Sequence, residues 1–300
     1  YLNKILLPLL VKRKIKKLKA KKLILWIYHP RYVDLIGKFK EGVVVYDCMD
    51  DFTSLLSPYE DRERNDRDER ELLRKADIVF AGGYSIAELK KNTREDIHIF
   101  PSAVETDHFK KALLDNIEIP DDIKDIKHPI LGYWGAIDER IDHRLLEQLA
   151  LRHPDWSIVL LGPVVRHKVG NLAYLDKLKN IFWLGPKDYS ILPNYAKAFD
   201  ICLNPFVLTR EGKHLSPTKT LEYLATGKPV ISTPITDVVR FYDGVVNIAN
   251  GIEEFEMAVK KCLEEKTNDS LKQKRIDFTE NKTWENTVRK MQELIMDRIF

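Results

Sequence analysis

Cysteine is scarce: Cys48, Cys202 and Cys262 are the only three in 300 residues. They lie far apart and form no CxxC or Cys/His ligand spacing, which excludes a disulfide framework and a cysteine-built zinc site. A reducing cytoplasm is the compartment this implies. Long apolar runs are missing as well. None approaches the roughly 18 residues of a membrane-spanning helix, and Tyr1–Leu10 carries no signal-peptide cleavage pattern. An excess of one charge is also missing, since 49 basic residues face 46 acidic ones for a formal net charge of +3. So small a surplus excludes a nucleic-acid partner argued from bulk charge, and any electrostatic recognition has to be local.

What is present is a globular composition, 44% hydrophobic and 32% charged over 300 residues, enough for two domains. Short runs rich in Val, Ile and aromatics alternate with amphipathic segments of helix length, a pattern that predicts parallel sheets covered on both faces. In the first part, strands are expected at Leu23–Tyr28, Val43–Asp47, Ile78–Ala81 and Ile97–Phe100, with helices near Tyr32–Lys38, Arg64–Lys75 and Ser85–Lys91. A polar stretch around Pro120-Asp-Asp then interrupts the pattern. After it, strands are expected at Ile130–Trp134, Ser157–Leu161, Ile181–Leu184, Ile201–Asn204, Val230–Ser232 and Val245–Ile248. Intervening helices fall near Asp142–Arg152, Leu192–Ala198, Pro217–Ala225 and Glu253–Glu265. The resulting division is a first Rossmann-like domain over 1–110, a linker over 111–128, a second over 129–280, and a closing helix over 281–300 that returns toward the first. Because the first domain offers fewer strands and the chain opens on Tyr1 rather than Met, it reads as N-terminally incomplete.

Chemistry concentrates in a few segments. Ser216 is a good N-cap, Pro217 suits a first helical position, and Asn204-Pro205 upstream puts the helix start at the carboxyl edge of the sheet. Helix N–H groups there, with the Ser216 and Thr218 hydroxyls and the Lys219 ammonium, suit a diphosphate. Glu222 can accept hydrogen bonds from a ribose diol, and Gly227 ends the helix. An ordinary capped helix is the competing reading. Gly135, directly after an apolar strand, permits close backbone approach to a phosphate, with Arg140 or Arg144 as its cationic partner; a tight turn is the bland alternative. Val45-Tyr-Asp-Cys-Met-Asp-Asp-Phe52 places Asp47, Asp50 and Asp51 at or just beyond a strand end, where one of them, Asp50 by preference, would deprotonate an acceptor hydroxyl. Loop acids and a helix cap explain them equally well. His29, ending Trp26-Ile-Tyr-His-Pro30, is a second candidate. The carboxylates form no Asp-x-Asp metal pair. Eight of the eleven residues Lys12–Lys22 are basic and follow a leucine-rich stretch. At about 1 kcal/mol per charge such a cluster attracts anionic lipid, although a solvated helix interrupted at Pro8 is the alternative.

The run Thr220–Thr233, TLEYLATGKPVIST, resembles the E-A-M-A-x-G-x-P-V-I segment of GT-B glycosyltransferases, family 4 and its relatives. Leu184-Gly-Pro-Lys-Asp-Tyr189 and Phe100-Pro-Ser-Ala-Val-Glu-Thr-Asp-His-Phe109 extend the resemblance, the latter departing from it at Ser102, Ala103 and Glu105. It implies an α/β, GT-B fold of two Rossmann-like domains facing a cleft, and a metal-independent hexosyltransferase that needs no cofactor beyond its nucleotide-sugar donor. It also implies that Glu222 holds the ribose and that backbone near Gly185 receives the base. The family often has a further Glu eight positions before Glu222; His214 stands there, so the donor-sugar contact falls to His214 or to nearby Glu211. With Tyr-Asp-Cys-Met-Asp-Asp and Trp-Ile-Tyr-His-Pro, the whole is similar to bacterial cell-surface polysaccharide transferases of the teichuronic acid biosynthesis type.

The expected activity is therefore transfer from a UDP-sugar to a saccharide or lipid-linked acceptor, inverting or retaining, in the cytoplasm and peripherally on the inner face of the plasma membrane. A nucleotide-sugar 2-epimerase of the same fold and a non-enzymatic membrane-binding protein are the rival classes.

Overall fold

The computed structural model describes residues 2–19, 22–55, 61–165, 172, 174–208 and 216–299. Two compact units emerge, one of residues 1–102 and 287–300, the other of residues 103–286.

In the first unit, β1 (Ile24–Ile27), β2 (Val43–Cys48), β3 (Ile78–Ala81) and β4 (Ile97–Ile99) form a parallel sheet in that spatial order. All six residues of β2 are buried, as expected of a central strand covered on both faces. One face packs Val44, Tyr46 and Val79 against Leu72 and Leu73 of a helix at Arg62–Lys75. The other packs Val43, Val45, Ile78 and Phe80 against Met291 and Ile295 of the closing helix, Trp284–Ile299. The helix expected over Tyr32–Lys38 is instead a 3-10 helix, Pro30–Leu35: Pro30 supplies its first-turn geometry, His29 caps it, and the chain leaves through Gly37. The first helix, α1 (Leu2–Leu18), runs through Pro8, where the proline removes one hydrogen bond without ending the element.

The second unit holds a parallel sheet of β5 (Ile130–Trp134), β6 (Ser157–Leu161), β7 (Ile181–Gly185), β8 (Ile201–Asn204), β9 (Val230–Ser232) and β10 (Asn247–Ile248), in the order β10-β9-β8-β5-β6-β7. From β5 the chain builds outward through β6 and β7, then crosses back to add β8 to the other side of β5. Strand order thus reverses between β5 and β8, and in open α/β sheets the crevice beyond such a reversal is where ligands bind.

Residues 111–128 do not behave as a free linker. Ala112 and Ile123 are buried in the second unit's core, and Lys197 Nζ donates to the carbonyls of Leu114, Asp115 and Ile117 at 2.8–3.2 Å. Lys187 and Tyr195 also bind Asp122, so a stretch whose side chains look polar is strapped to the domain by two lysines and a tyrosine. Cys48, Cys202 and Cys262 are buried and unpaired, and no described helix is long and apolar enough to cross a membrane.

Candidate active site

At the strand-order reversal, β5 ends on Trp134 and is followed by Gly135, whose φ of 141° lies in a region side chains avoid. A Cβ built on Gly135 would fall 2.0 Å from Lys219 Cε, so the lysine passes directly over the glycine. A Cβ on neighbouring Gly162, at φ 140°, would meet the Gly135 carbonyl oxygen at 1.9 Å. Backbone bonds link these strand ends: Gly135 N–H donates to Leu161 at 2.8 Å and Gly162 N–H to Gly185, also at 2.8 Å. Gly135, Gly162 and Gly185 therefore close three adjacent strands with backbone alone. Gly162 escaped notice in the sequence, although Leu161-Gly-Pro repeats the strand-glycine pattern that drew attention to Gly135.

The helix after β8, α8 (Lys219–Ala225), begins later than its sequence implied. Thr220 N–H donates to the Pro217 carbonyl in a tight turn, so the α-helical ladder starts at Lys219 and Ser216 is not its cap. Thr218 takes the cap position in αR geometry without a side-chain cap bond, and it is exposed, while Ser216 is half-buried. Asn204, at the end of β8, donates to Thr220 Oγ1 at 2.9 Å and fixes the start of α8 against the sheet. Gly227 ends the helix at φ 74°.

Lys219 and Glu222 project from this short helix into one environment. Burial pushes the Lys219 ammonium below its ordinary value, with Arg140 adding to the effect and Glu222 opposing it. Burial likewise pushes Glu222 up, against the Trp134 hydrogen bond and the nearby Lys219 charge. The Trp134 indole N–H donates to Glu222 Oε2 at 2.7 Å. Arg140 is held by Asp138, itself buried, through Nε and Nη2 at 2.6–3.1 Å, and that pairing raises its pKa. His143 Nε2 contacts the Asp138 carbonyl oxygen at 3.0 Å, tying the same loop to the next helix. Arg144, the alternative cation, pairs instead with Glu147 at 3.0 Å and lies over the Tyr174 ring.

Sequence reasoning missed a second group beside Glu222. Tyr189 stacks on His108 at 4.8 Å, and His108 Nε2 meets the Tyr189 carbonyl oxygen at 2.9 Å. Burial raises the Tyr189 pKa, with the Glu222 and Glu105 charges adding to it. Glu105 and His108 both lie within Phe100–Phe109, where Glu105 is one of the three departures from the family pattern and neither side chain carries a site expectation. Glu211 and His214 lie outside the described residues.

In the first unit, the acidic cluster separates into three environments. Asp47 is 3% exposed; its Oδ2 accepts from Trp26 Nε1 at 3.0 Å, and its Oδ1 has no partner among the described residues. Burial raises its pKa, with the Trp26 bond opposing. Asp50 is exposed, in a turn where its carbonyl accepts from Phe52 N–H at 3.0 Å. Asp51 pairs with Lys90 at 3.4 Å, and Lys90 is shared with buried Glu69 at 2.7 Å. Glu69 also accepts from Tyr46 Oη at 2.8 Å, a network invisible in sequence because its members are 21 and 23 residues apart. His29 caps the 3-10 helix by accepting from Arg31 N–H at 3.2 Å, and its ring packs on Phe52 at 5.0 Å.

Known proteins share this fold. Residues 128–265 match the family described as glycosyl transferases group 1. The chain is 26% identical over 275 residues to the putative teichuronic acid biosynthesis glycosyltransferase TuaH of Bacillus subtilis (strain 168), covering 87% of this chain and 68% of that protein. Its fold is similar to Anabaena Alr3699/HepE in complex with UDP (TM-score 0.74, 14% identity, 97% of this chain and 82% of that one). It is also similar to a glycosyltransferase from Rickettsia africae ESF-5 (TM-score 0.69, 18% identity, 97% and 80%). These findings favour sugar transfer over the epimerase and scaffold alternatives. A group 1 match over residues 128–265, a glycosyltransferase relative aligned with most of the sequence, and two parallel-sheet units with the fold of solved GT-B glycosyltransferases together support a glycosyltransferase of GT-B fold.

Proposed function

We propose that the chain transfers a sugar from a UDP-sugar to a saccharide or lipid-linked acceptor during synthesis of a cell-surface polysaccharide. One observation carries the donor half of this reading: Lys219, Glu222 and the Gly135 backbone converge beyond the β5–β8 reversal. Lys219 and Arg140, with the Gly135 backbone and the Ser216 and Thr218 hydroxyls, bind the diphosphate. Glu222 accepts from the ribose hydroxyls, backbone at Gly185 meets the base, and Glu211 or His214 contacts the donor sugar. UDP in the Anabaena relative and teichuronic acid synthesis in the Bacillus one support the choice of donor and product.

Catalysis in this reading is positioning and charge. The diphosphate gathers negative charge as the glycosidic bond breaks, and the half-buried Lys219 and the Asp138-anchored Arg140 offset it without reorganising. On the acceptor side Asp50, the exposed member of the acidic cluster, removes the hydroxyl proton; Asp47, Asp51 and His29 are the other candidates for that role. Peripheral binding to the inner face of the plasma membrane, from the cytoplasm, rests on α1: Leu6, Leu9 and Leu10 are exposed and precede exposed Lys12, Arg13, Lys14, Lys16 and Lys17. Cosedimentation with anionic but not neutral vesicles tests that part, and equal pelleting with both refutes it. For the donor, a thermal-shift screen of UDP-, GDP-, ADP- and CDP-sugars is expected to show stabilisation by UDP-sugars alone; selective stabilisation by another nucleotide refutes the UDP assignment.

A further inference from the structure

Trp134 is joined to two consecutive residues of α8. Its indole N–H donates to Glu222 Oε2 at 2.7 Å, and its backbone N–H donates to Tyr223 Oη at 3.0 Å. The indole is itself immobilised. It is 3% exposed, lies parallel to Phe109 at 5.8 Å, packs against Phe199 at 6.0 Å, and meets the edge of Tyr223 at 4.3 Å. Rotating it would displace three aromatic rings in a close-packed core, so the direction of its N–H is set by packing. Glu222, by contrast, is a flexible side chain whose carboxylate would otherwise sample several rotamers.

We propose that Trp134 is a positioning residue for nucleotide binding, its indole N–H fixing one oxygen of Glu222 so that the other is presented to a ligand diol. This deepens, and rests on, the assignment of Glu222 to the ribose. A carboxylate has two oxygens and about four lone-pair sites. Holding Oε2 in the interior leaves Oε1 as the acceptor for incoming hydroxyls and settles the rotamer before the ligand arrives. Binding then loses less side-chain freedom than it would with an untethered glutamate. Tyr223 strengthens the arrangement by fixing the Trp134 backbone against the same helix, so donor and acceptor cannot drift apart.

Trp134→Phe retains an aromatic ring in the stack and removes the N–H. Calorimetry would compare the wild type and this variant with UDP, GDP, ADP and CDP and with the 2′,3′-dideoxy counterpart of each. The wild type is expected to favour the ribonucleotide. In Trp134→Phe that preference should shrink about tenfold, the loss of one hydrogen bond to a charged group, with affinity for the dideoxy ligand unchanged. An equal loss for both ligands, or an unchanged preference, overturns the positioning role. A wild type that binds ribo- and dideoxynucleotides equally, or binds none of them, overturns the ribose assignment beneath it. Should Trp134→Phe fail to fold, site-specific incorporation of β-(3-benzothienyl)alanine at 134, which replaces only the N–H by sulfur, gives the same comparison.

Discussion

The Lys219 side chain lies where a side chain on Gly135 would begin: a Cβ built on Gly135 falls 2.0 Å from Lys219 Cε and 2.8 Å from Nζ. Gly135→Ala should therefore act in two ways. A non-glycine residue at φ 141° is strained, costing about 1–3 kcal/mol of stability. The methyl also displaces the lysine, so nucleotide affinity should fall by about tenfold or more, as when a charged hydrogen-bonding group is lost. Because both changes remove the same contact, Lys219→Met combined with Gly135→Ala should bind little worse than Lys219→Met alone. Denaturation and calorimetry on the three variants check this; fully additive losses in affinity would separate the two residues.

Glu222 carries a pH signature. Burial raises its folded-state pKa above the unfolded one. Its stabilising contribution is therefore complete below the ordinary glutamate range and lost as pH rises through the folded value. Glu222→Gln keeps an acceptor for the Trp134 N–H and never ionises. Without ligand, the variant should melt above the wild type at about pH 8, the gap narrowing toward about pH 4. Melting curves across that range provide the test, and a gap that widens on acidification would contradict it.

Much of the second unit was legible in the sequence because β-branched runs there mostly alternate with amphipathic helices. Gly135 was legible as a glycine directly after an apolar strand, and the structure puts both it and Gly185 at strand ends with positive φ. The start of α8 was misread because Ser216-Pro217 looks like a cap and first turn; the Pro217 carbonyl is instead taken by Thr220, which delays the helix. Trp134 reads as an apolar strand residue, and nothing in its neighbours shows that its N–H finds a carboxylate 88 residues away. Residues 111–128 look like a linker because their tethers, Lys187, Tyr195 and Lys197, belong to a distant helix and its approach. Pairings across long sequence separations are what local pattern cannot supply.

Lys90 gives a prediction of stability alone. It is 8% exposed and bonds Glu69, which is 4% exposed, at 2.7 Å. Lys90→Met leaves a buried carboxylate uncompensated and should cost about 3–5 kcal/mol. Lys90→Met with Glu69→Gln should recover part of that loss. Urea denaturation of both variants measures it, and a Lys90→Met cost below that of the double variant would contradict the pairing.

For the acceptor side, Asp50→Asn should lower kcat by about 10²–10⁴-fold, the usual contribution of a general base. Donor affinity should stay unchanged, since Asp50 belongs to the first unit and the donor residues to the second. Asp47→Asn and Asp51→Asn serve as comparisons. Full transfer by Asp50→Asn, with loss in either of the other two, would move the base to that residue.

The central claim, that Glu222 and Lys219 beyond the β5–β8 reversal bind the donor nucleotide, is tested most directly by calorimetric titration of UDP into the wild type and Glu222→Ala. Binding to the wild type, at least about tenfold weaker in the variant with its fold intact by circular dichroism, is the expected result. Equal affinity in the two proteins would contradict it.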